Sequence, residues 1–263
     1  MARFVTLYSG SSGNSVYVGG RDEGILVDVG VSCKKTMTAL CESGIELNSV
    51  KAIFVTHEHS DHICGLSVFL AKHKVPVYAS AEVANYLADS GKLPSGTQLF
   101  CIDQSPVCVA GMMLESFDTP HDSIHSLGFR IHTSDDRKIA IATDLGHLPD
   151  RIMKILYGCD LVMIESNYDP EMLEYGPYPF VLKRRIFGRN GHLSNNECAA
   201  ALPSLIAAGT TRLVLAHLSK ENNTPEVARA AALYSLKSGG YEEGSDYLLE
   251  VAPRFNPGKM LVF

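Results

Sequence analysis

The sequence predicts an α/β fold (α+β in some schemes) in which two mixed β-sheets pack face to face and helices cover both outer faces, an αββα sandwich. Two observations lead to this prediction. Segments of alternating strand and helix character lie on both sides of a strand-rich stretch near the middle of the chain, and such strands need helices over their exposed faces. The 263 residues are 46% hydrophobic and 20% charged, which is ordinary for a globular protein with a large core. We expect one domain over residues 1–263, with two βα-rich halves meeting near residue 115.

The elements of the first half follow from apolar runs, glycine boundaries and capping residues. Runs rich in β-branched residues predict strands, and apolar residues at helical spacing after a Ser predict helices. The predicted strands are 3–8, 15–19, 24–29, a strand ending at 56, 75–79, 99–102, 106–109 and 112–118. The predicted helices are 32–43, 61–72 and 80–90.

The second half contains a hairpin and three helix signals. The strands 128–133 and 138–143 flank the turn SDDR, and further strands are predicted over 160–165, 212–216, 247–251 and 260–263. A helix is predicted over 178–187. Ser194 followed by Glu197 predicts a capping box at the start of a helix to about residue 208. Thr224 before Pro225 predicts the start of another helix.

The stretch AIFVTHEHSDHICGL places four potential metal ligands within six residues, directly after a strand. Alternate side chains of an extended loop point the same way, so His57 and His59 can converge on one ion. Asp61 and His62, at the start of the next helix, can face a second ion. Imidazole and carboxylate suit Zn²⁺, and also Mn²⁺ or Fe²⁺. A polar loop is the alternative, but this density of ligands predicts a metal site.

Further polar residues follow predicted strands and can gather at the same edge of the sheets. His121 follows strand 112–118 in TPHD, and His217 follows strand 212–216. Asp144 follows the hairpin, and a carboxylate there can bind two ions about 3.5–4 Å apart. Asp28 ends an apolar strand, where an unpaired carboxylate is costly. We expect Asp28 to orient a ligand His or the ligand loop through hydrogen bonds; a turn cap is the alternative.

Charge and cysteine content exclude several classes of protein. The net charge of −6 argues against nonspecific coating of nucleic acid, although two bound divalent ions would offset most of it. Seven cysteines without C-x-x-C pairs indicate neither a disulfide framework nor a zinc ribbon. No apolar run is long enough to span a bilayer, and residues 1–10 do not form a signal peptide. We therefore expect a cytoplasmic protein without a membrane partner.

The run H-x-H-x-D-H at residues 57–62 resembles the signature of the metallo-β-lactamase fold superfamily. The resemblance implies two divalent ions, Zn or Mn or Fe, and a bridging water whose pKa is lowered towards neutrality. Asp61 would also accept a hydrogen bond from that water. Hydrolases of many substrates share this fold, so the likeness does not identify the substrate. The ligands it implies are His57, His59 and His121 for the first metal, Asp61, His62 and His217 for the second, and Asp144 for both.

Segments of the second half narrow the substrate class. ESNYDPEMLEYGPYP, GHLSN and HLSKENN, together with GSSGNS and TPHD, look like the YycJ/WalJ group of bacterial proteins, which is associated with 5′-to-3′ exonuclease activity on double-stranded DNA. In the related ribonuclease Z branch a matching Glu and His support proton transfer to the leaving group, which here implies Glu165 and His192. A His held protonated by a carboxylate can donate to an alkoxide. A helix cap is the alternative role for His192.

The sequence thus predicts a binuclear metal-dependent phosphodiesterase, a 5′-to-3′ DNA exonuclease whose partner is nucleic acid. A small-molecule hydrolase of a thioester or lactam is one alternative, and a non-catalytic regulatory partner is another. Phosphates beside the scissile bond need cations, and a basic run directly before His192 supplies them; a solvated helix face is its alternative role. His125 and His147 either contact substrate or belong to the scaffold. The predicted substrate-binding cations are Lys183, Arg184, Arg185 and Arg189.

Overall fold

The computed structural model describes residues 1–103, 105–255 and 257–263. Within these residues the first sheet has seven strands in the order β14-β1-β2-β3-β4-β5-β6. Strands β3 to β6 are parallel to one another, whereas β14, β1, β2 and β3 pair antiparallel. The strands are β1 (Arg3–Tyr8), β2 (Ser15–Gly19), β3 (Gly24–Val27), β4 (Val50–Phe54), β5 (Val77–Ser80), β6 (Leu99–Ile102) and β14 (Leu261–Val262).

The second sheet also has seven strands in the described chain, in the order β13-β12-β11-β10-β9-β8-β7. Strands β10 to β13 are parallel, and β7 to β10 form an antiparallel meander. Both sheets are therefore mixed, which confirms the predicted fold class. The strands are β7 (Val107–Val109), β8 (Met112–Asp118), β9 (Leu127–His132), β10 (Lys138–Ala142), β11 (Leu161–Glu165), β12 (Arg212–Ala216) and β13 (Leu248–Val251).

Helices cover both outer faces, so the apolar residues form three layers. One core lies between the sheets and includes Phe54 and Phe129, whose ring centroids are 5.6 Å apart. A second core packs the first sheet against α1 (Cys33–Glu42), α3 (Leu66–Lys72) and α4 (Ala81–Asp89). A third packs the second sheet against α5 (Asp150–Leu156), α8 (Asn195–Ala207) and α9 (Pro225–Ser238).

Three short helices lie near the edge where the parallel strands end. Helix α2 (Ser60–Ile63) follows β4, and α6 (Pro170–Tyr175) and α7 (Phe180–Ile186) follow β11. A small cluster that includes Tyr168 and Leu173 packs α6 and α7 together. This pair forms a wall beside the sheet edge. No helix of the described chain is both long and apolar enough to cross a bilayer, and all seven cysteines are free.

The structure differs from the sequence-based predictions at several elements. The helix predicted over 61–72 is two helices, α2 and α3, because the chain breaks at Gly65, whose N–H donates to the Val29 carbonyl at 2.9 Å. A methyl group at Gly65 would overlap the Val31 carbonyl, so only glycine fits this crossing. Helices α5 and α6 were not predicted. The capping box of Ser194 and Glu197 is confirmed.

Candidate active site

The predicted ligands come together because the strands that carry them run in the same direction within each sheet. β3 and β4 are parallel in the first sheet, and β10, β11 and β12 are parallel in the second. β8 points the same way as β10, since each pairs antiparallel with β9. Loops that follow parallel strands meet at one edge of a sheet. All seven predicted metal ligands lie in overlapping clusters at this edge: His57, His59, Asp61, His62, His121, Asp144 and His217.

Three site residues within two positions of a strand end adopt the left-handed backbone conformation. Asp28, Asp144 and His217 have φ of 62°, 58° and 57°. Such a conformation costs a non-glycine residue about 1–3 kcal/mol unless its surroundings hold it. Backbone hydrogen bonds hold His217: its N–H donates to Ser9 Oγ at 2.8 Å, and Asn167 Nδ2 donates to its carbonyl at 2.6 Å. The fold thus supports strained backbone where these side chains turn into the site.

Hydrogen bonds at Nδ1 fix the orientation of the imidazole rings. His62 donates to Asp28 Oδ2 at 2.7 Å, and His217 donates to Glu165 Oε1 at 2.7 Å. His121 donates to the Gly191 carbonyl at 3.0 Å. With Nδ1 engaged in this way, Nε2 is the ring nitrogen left to bind a metal ion at the centre of the site. Asp28 also accepts hydrogen bonds from the backbone and the hydroxyl of Thr56, each at 2.8 Å.

The distances between ligand atoms fit metal coordination. His62 Nε2 lies 3.4 Å from Asp144 Oδ2, and His217 Nε2 lies 3.6 Å from Asp61 Oδ2. On the other side, His121 Nε2 lies 3.4 Å from His59 Nδ1. Ligands held at about 2.0–2.1 Å around a tetrahedral ion are about 3.4 Å apart. Asp144 also approaches His121, with 3.7 Å between Oδ1 and Nε2, so one carboxylate reaches both clusters.

Among the buried polar atoms that have no hydrogen-bond partner in the described residues, three belong to the site: His57 Nε2, Asp144 Oδ2 and His217 Nε2. A buried polar atom without a partner costs about 1–3 kcal/mol, and more when it is charged. All three belong to predicted metal ligands, and a divalent cation would satisfy each of them. The donor set of imidazole nitrogens and carboxylate oxygens therefore fits a site for divalent metal ions.

Neighbouring groups shift the pKa values of the site residues. Burial alone would lower the pKa of His62 and of His217, but nearby carboxylates, Asp144 among them, raise the first to about 9 and the second well above its usual value. A divalent cation would therefore displace a proton from each of these two rings.

Burial alone would raise the pKa of Glu165, but the N–H groups of His192 and His217 lower it well below the usual range of a carboxyl. The pKa of Asp61 is lowered in the same way by His217 and His62, against the effect of burial. Burial and the nearby histidines lower the pKa of His57. Ionised carboxylates and a neutral imidazole are the metal-binding forms.

Glu165 links a metal ligand to the predicted proton donor. Its carboxylate is fully buried, and Oε1 accepts hydrogen bonds from Nδ1 of both His217 and His192, at 2.7 and 2.8 Å. Oε2 accepts from the backbone N–H groups of Leu145 and Leu193, at 2.6 and 3.2 Å. The buried carboxylate thus orients both rings at once.

A cavity of about 420 Å³ opens beside the predicted ligands, and α7 forms its opposite wall. The predicted metal ligands and proton donor that line it are His59, Asp61, Asp144, His192 and His217. Of the four predicted substrate-binding cations, only Arg185 lines this cavity. Lys183 Nζ donates to the Glu174 carbonyl at 2.7 Å, and the Arg184 guanidinium lies 5.9 Å from the centre of the Phe180 ring. Arg189 lies in the loop after α7. The sequence identified the basic run, but a helix turns its successive side chains in different directions.

The structure also places the residues whose roles were left open. His125 lies outside the cavity lining and pairs with Glu82 and Asp118, at 2.8 and 2.9 Å. His147 Nδ1 donates to the Arg189 carbonyl at 2.9 Å. Both histidines therefore contact protein groups and do not line the cavity.

Two residues with contacts inside the site were not singled out from the sequence. Asn14 Nδ2 lies 3.0 Å from His62 Nε2, and Asp122 Oδ1 lies 3.5 Å from His121 Nε2. Both residues belong to segments that the sequence analysis noted, Asn14 to GSSGNS and Asp122 to TPHD. Neither segment showed which of its polar residues faces the metal ligands.

Comparison with known proteins shows the family and the fold of the chain. The family described as beta-lactamase superfamily domain matches residues 24–218. A Bacillus anthracis protein named exodeoxyribonuclease YycJ is 38% identical over 93% of this chain and 92% of its own length. A Streptococcus pneumoniae protein named exodeoxyribonuclease WalJ is 34% identical with the same coverage. The crystal structure of Zn²⁺-bound PqqB from Methylobacterium extorquens has the same fold, with a TM-score of 0.76 at 15% identity over 99% of this chain and 100% of that one.

Proposed function

The chain belongs to the beta-lactamase superfamily and to the YycJ/WalJ group within it, and from this membership we propose that it is a binuclear metal-dependent DNA exonuclease acting in the 5′-to-3′ direction. The relatives named exodeoxyribonuclease support DNA as the substrate, because the similarity extends over 93% of the chain. We also propose that the protein is cytoplasmic.

Two divalent ions fit the candidate site. His57, His59 and His121 would hold one ion, Asp61, His62 and His217 the other, and Asp144 both. Zn, Mn and Fe all suit this donor set. When bound there, the ions would act as Lewis acids towards phosphate oxygens and lower the pKa of a coordinated water. Asp28 is not itself a ligand in this assignment; its hydrogen bond orients the ring of the ligand His62.

His192 is the proposed general acid, and its pairing with Glu165 is the observation that carries the proposal. The carboxylate accepts the Nδ1 proton, so the opposite ring nitrogen, Nε2, is the atom that can deliver a proton into the cavity that His192 lines. Asp61, which lines the same cavity, is placed to accept a hydrogen bond from the attacking water and to orient it.

The alkoxide that leaves a phosphodiester needs a proton, so an acid of this kind suits phosphodiester hydrolysis. A small-molecule hydrolase would use the same metal ligands, but a cation such as Arg185 in the cavity wall would give it no advantage with a neutral thioester or lactam. A non-catalytic regulatory partner would not need the buried Glu165 beside two oriented histidines. We therefore prefer the nuclease.

The direct test is to incubate metal-loaded protein with DNA and RNA labelled at either end, with and without Mn²⁺, and to follow the products over time. We expect metal-dependent release of short products from DNA, beginning at the 5′ end. An RNA preference, cleavage from the 3′ end or hydrolysis of thioesters without cleavage of DNA would each contradict the corresponding part of the proposal.

A further inference from the structure

We propose that Arg185 binds the phosphate beside the scissile bond, and that Asp122 is the positioning residue that holds its guanidinium in place. This inference rests on the proposed nuclease function and deepens it. Of the four cations predicted from the sequence, this proposal assigns phosphate binding to one, Arg185, in the wall of the cavity.

Contacts connect Arg185 to the metal ligands through a single carboxylate. Arg185 Nη2 donates to Asp122 Oδ1 at 3.1 Å, and Nε donates to Oδ2 of the same residue. Asp122 Oδ1 also lies 3.5 Å from Nε2 of the metal ligand His121. The guanidinium is therefore held beside the metal cluster, at the position that a neighbouring phosphate of a bound strand would reach.

The ion pair leaves part of the guanidinium available. An arginine has five N–H donors, and Asp122 takes two of them. The others, including both on Nη1, have no acceptor within the described residues, and the side chain is 53% exposed. A planar guanidinium with free donors matches the geometry of phosphate oxygens. Because Asp122 already fixes the side chain, binding a phosphate costs less conformational entropy.

Charge at the cavity favours the same assignment. Asp61 and Asp144 line the cavity, and their carboxylates would repel a second phosphate that no metal ion contacts. Arg185 is the only arginine or lysine among the cavity-lining residues of the described chain. Arg184, the next residue, instead lies over the Phe180 ring outside the lining. Arg185 is therefore the one positively charged side chain of the described cavity wall that could bind a phosphate next to the scissile one.

The test compares Arg185→Gln with Arg184→Gln in metal-loaded protein. Binding of a fluorescent single-stranded phosphorothioate oligonucleotide is measured over a range of salt concentrations. Arg185→Gln should raise Kd about ten- to a hundredfold, as expected for the loss of a hydrogen bond to a charged group, and should lower the slope of log affinity against log salt by about 0.7. Arg184→Gln should change Kd by less than about threefold. On cleavable DNA, Arg185→Gln should raise KM far more than it lowers kcat.

Two further variants separate positioning from binding. Asp122→Asn should raise KM severalfold, and the double variant with Arg185→Gln should be no worse than Arg185→Gln alone, because both changes act through one contact. Arg185→Lys should recover part of the salt dependence. Metal content and thermal stability are measured for each protein.

The inference is overturned if Arg185→Gln and Arg184→Gln behave alike, or if the effects of Asp122→Asn and Arg185→Gln are additive. Loss of metal from Arg185→Gln at unchanged oligonucleotide binding would assign Arg185 a structural role instead. Failure of the proposed function has a different signature, because wild-type protein would then leave DNA uncleaved in the presence of metal.

Discussion

Glu165 illustrates how one buried residue can couple two functions. Its carboxylate orients His217, a predicted metal ligand, and His192, the proposed proton donor, through hydrogen bonds of 2.7 and 2.8 Å to the same oxygen. The two rings therefore share one acceptor, and a change at either ring alters the hydrogen bond of the other. Removing Glu165 would disturb both rings, so the two roles are better separated by changing His192.

His192→Ala is expected to retain metal and to slow hydrolysis of an ordinary phosphodiester by about 10²–10⁴-fold, because the leaving alkoxide loses its proton donor. Hydrolysis of bis(p-nitrophenyl) phosphate, whose leaving group needs no proton, should fall far less. Initial rates on both substrates and elemental analysis check this. Equal losses on the two substrates would show that His192 acts only structurally.

His125 should titrate at higher pH than an ordinary histidine. Burial lowers its pKa, but hydrogen bonds to Asp118 and Glu82 outweigh burial and raise the pKa above 6.5. The stabilisation from this charge is therefore fully present below pH 6.5 and is lost as the pH rises through the pKa of the folded protein. NMR titration of the ring should show the shift, and Asp118→Asn should reduce it. Glu115→Gln, on the same strand, is the control and should leave it unchanged.

At the scale of elements, backbone contacts hold the ligand loop in place. Helix α2 is joined to two loops of the first sheet. Asn14 N, between β1 and β2, donates to the Asp61 carbonyl at 2.7 Å, and Val29 N, after β3, donates to the His62 carbonyl at 2.9 Å. Gly30 lies directly against the Asp61 carbonyl, where a methyl group would overlap it. The positions of Asp61 and His62 thus depend on two loops that carry no predicted metal ligand.

Gly30→Ala should consequently displace Asp61 and reduce metal content together with stability, since overpacking of this kind typically costs about 1–3 kcal/mol. Gly20→Ala is the matched control, because the nearest atom to a methyl group there is a carbonyl at 3.9 Å. Metal analysis and denaturant unfolding of both variants give the comparison. If Gly30→Ala binds metal and unfolds like the wild type, the contact does not position the ligand loop.

At the scale of the whole molecule, the site joins the two sheets. His57, His59, Asp61 and His62 follow the first sheet, whereas His121, Asp144 and His217 follow the second. Between the sheets lies an apolar core that holds them together without directional contacts. Metal ions at the common edge would add fixed connections between the two layers.

Chelation should therefore lower the melting temperature, because ligands that bind only the folded state stabilise it by mass action. Asp144→Ala should lower the occupancy of both ions, since this carboxylate approaches both clusters at 3.4 and 3.7 Å. Thermal unfolding with and without chelator, and metal analysis of the variant, measure these effects. Full occupancy in Asp144→Ala would contradict a shared ligand.

The sequence by itself determined the fold class and the candidate ligands, because both depend on local order. Strand and helix periods are visible in the apolar pattern, and the ligand types follow strand ends in fixed motifs. Only the tertiary structure decided which atoms meet. The break at Gly65, the coupling of His192 and His217 through Glu165, and the pairing of Arg185 with Asp122 join residues from separate elements. Such contacts depend on strand direction, helix rotation and close backbone approach, which arise only when the layers pack.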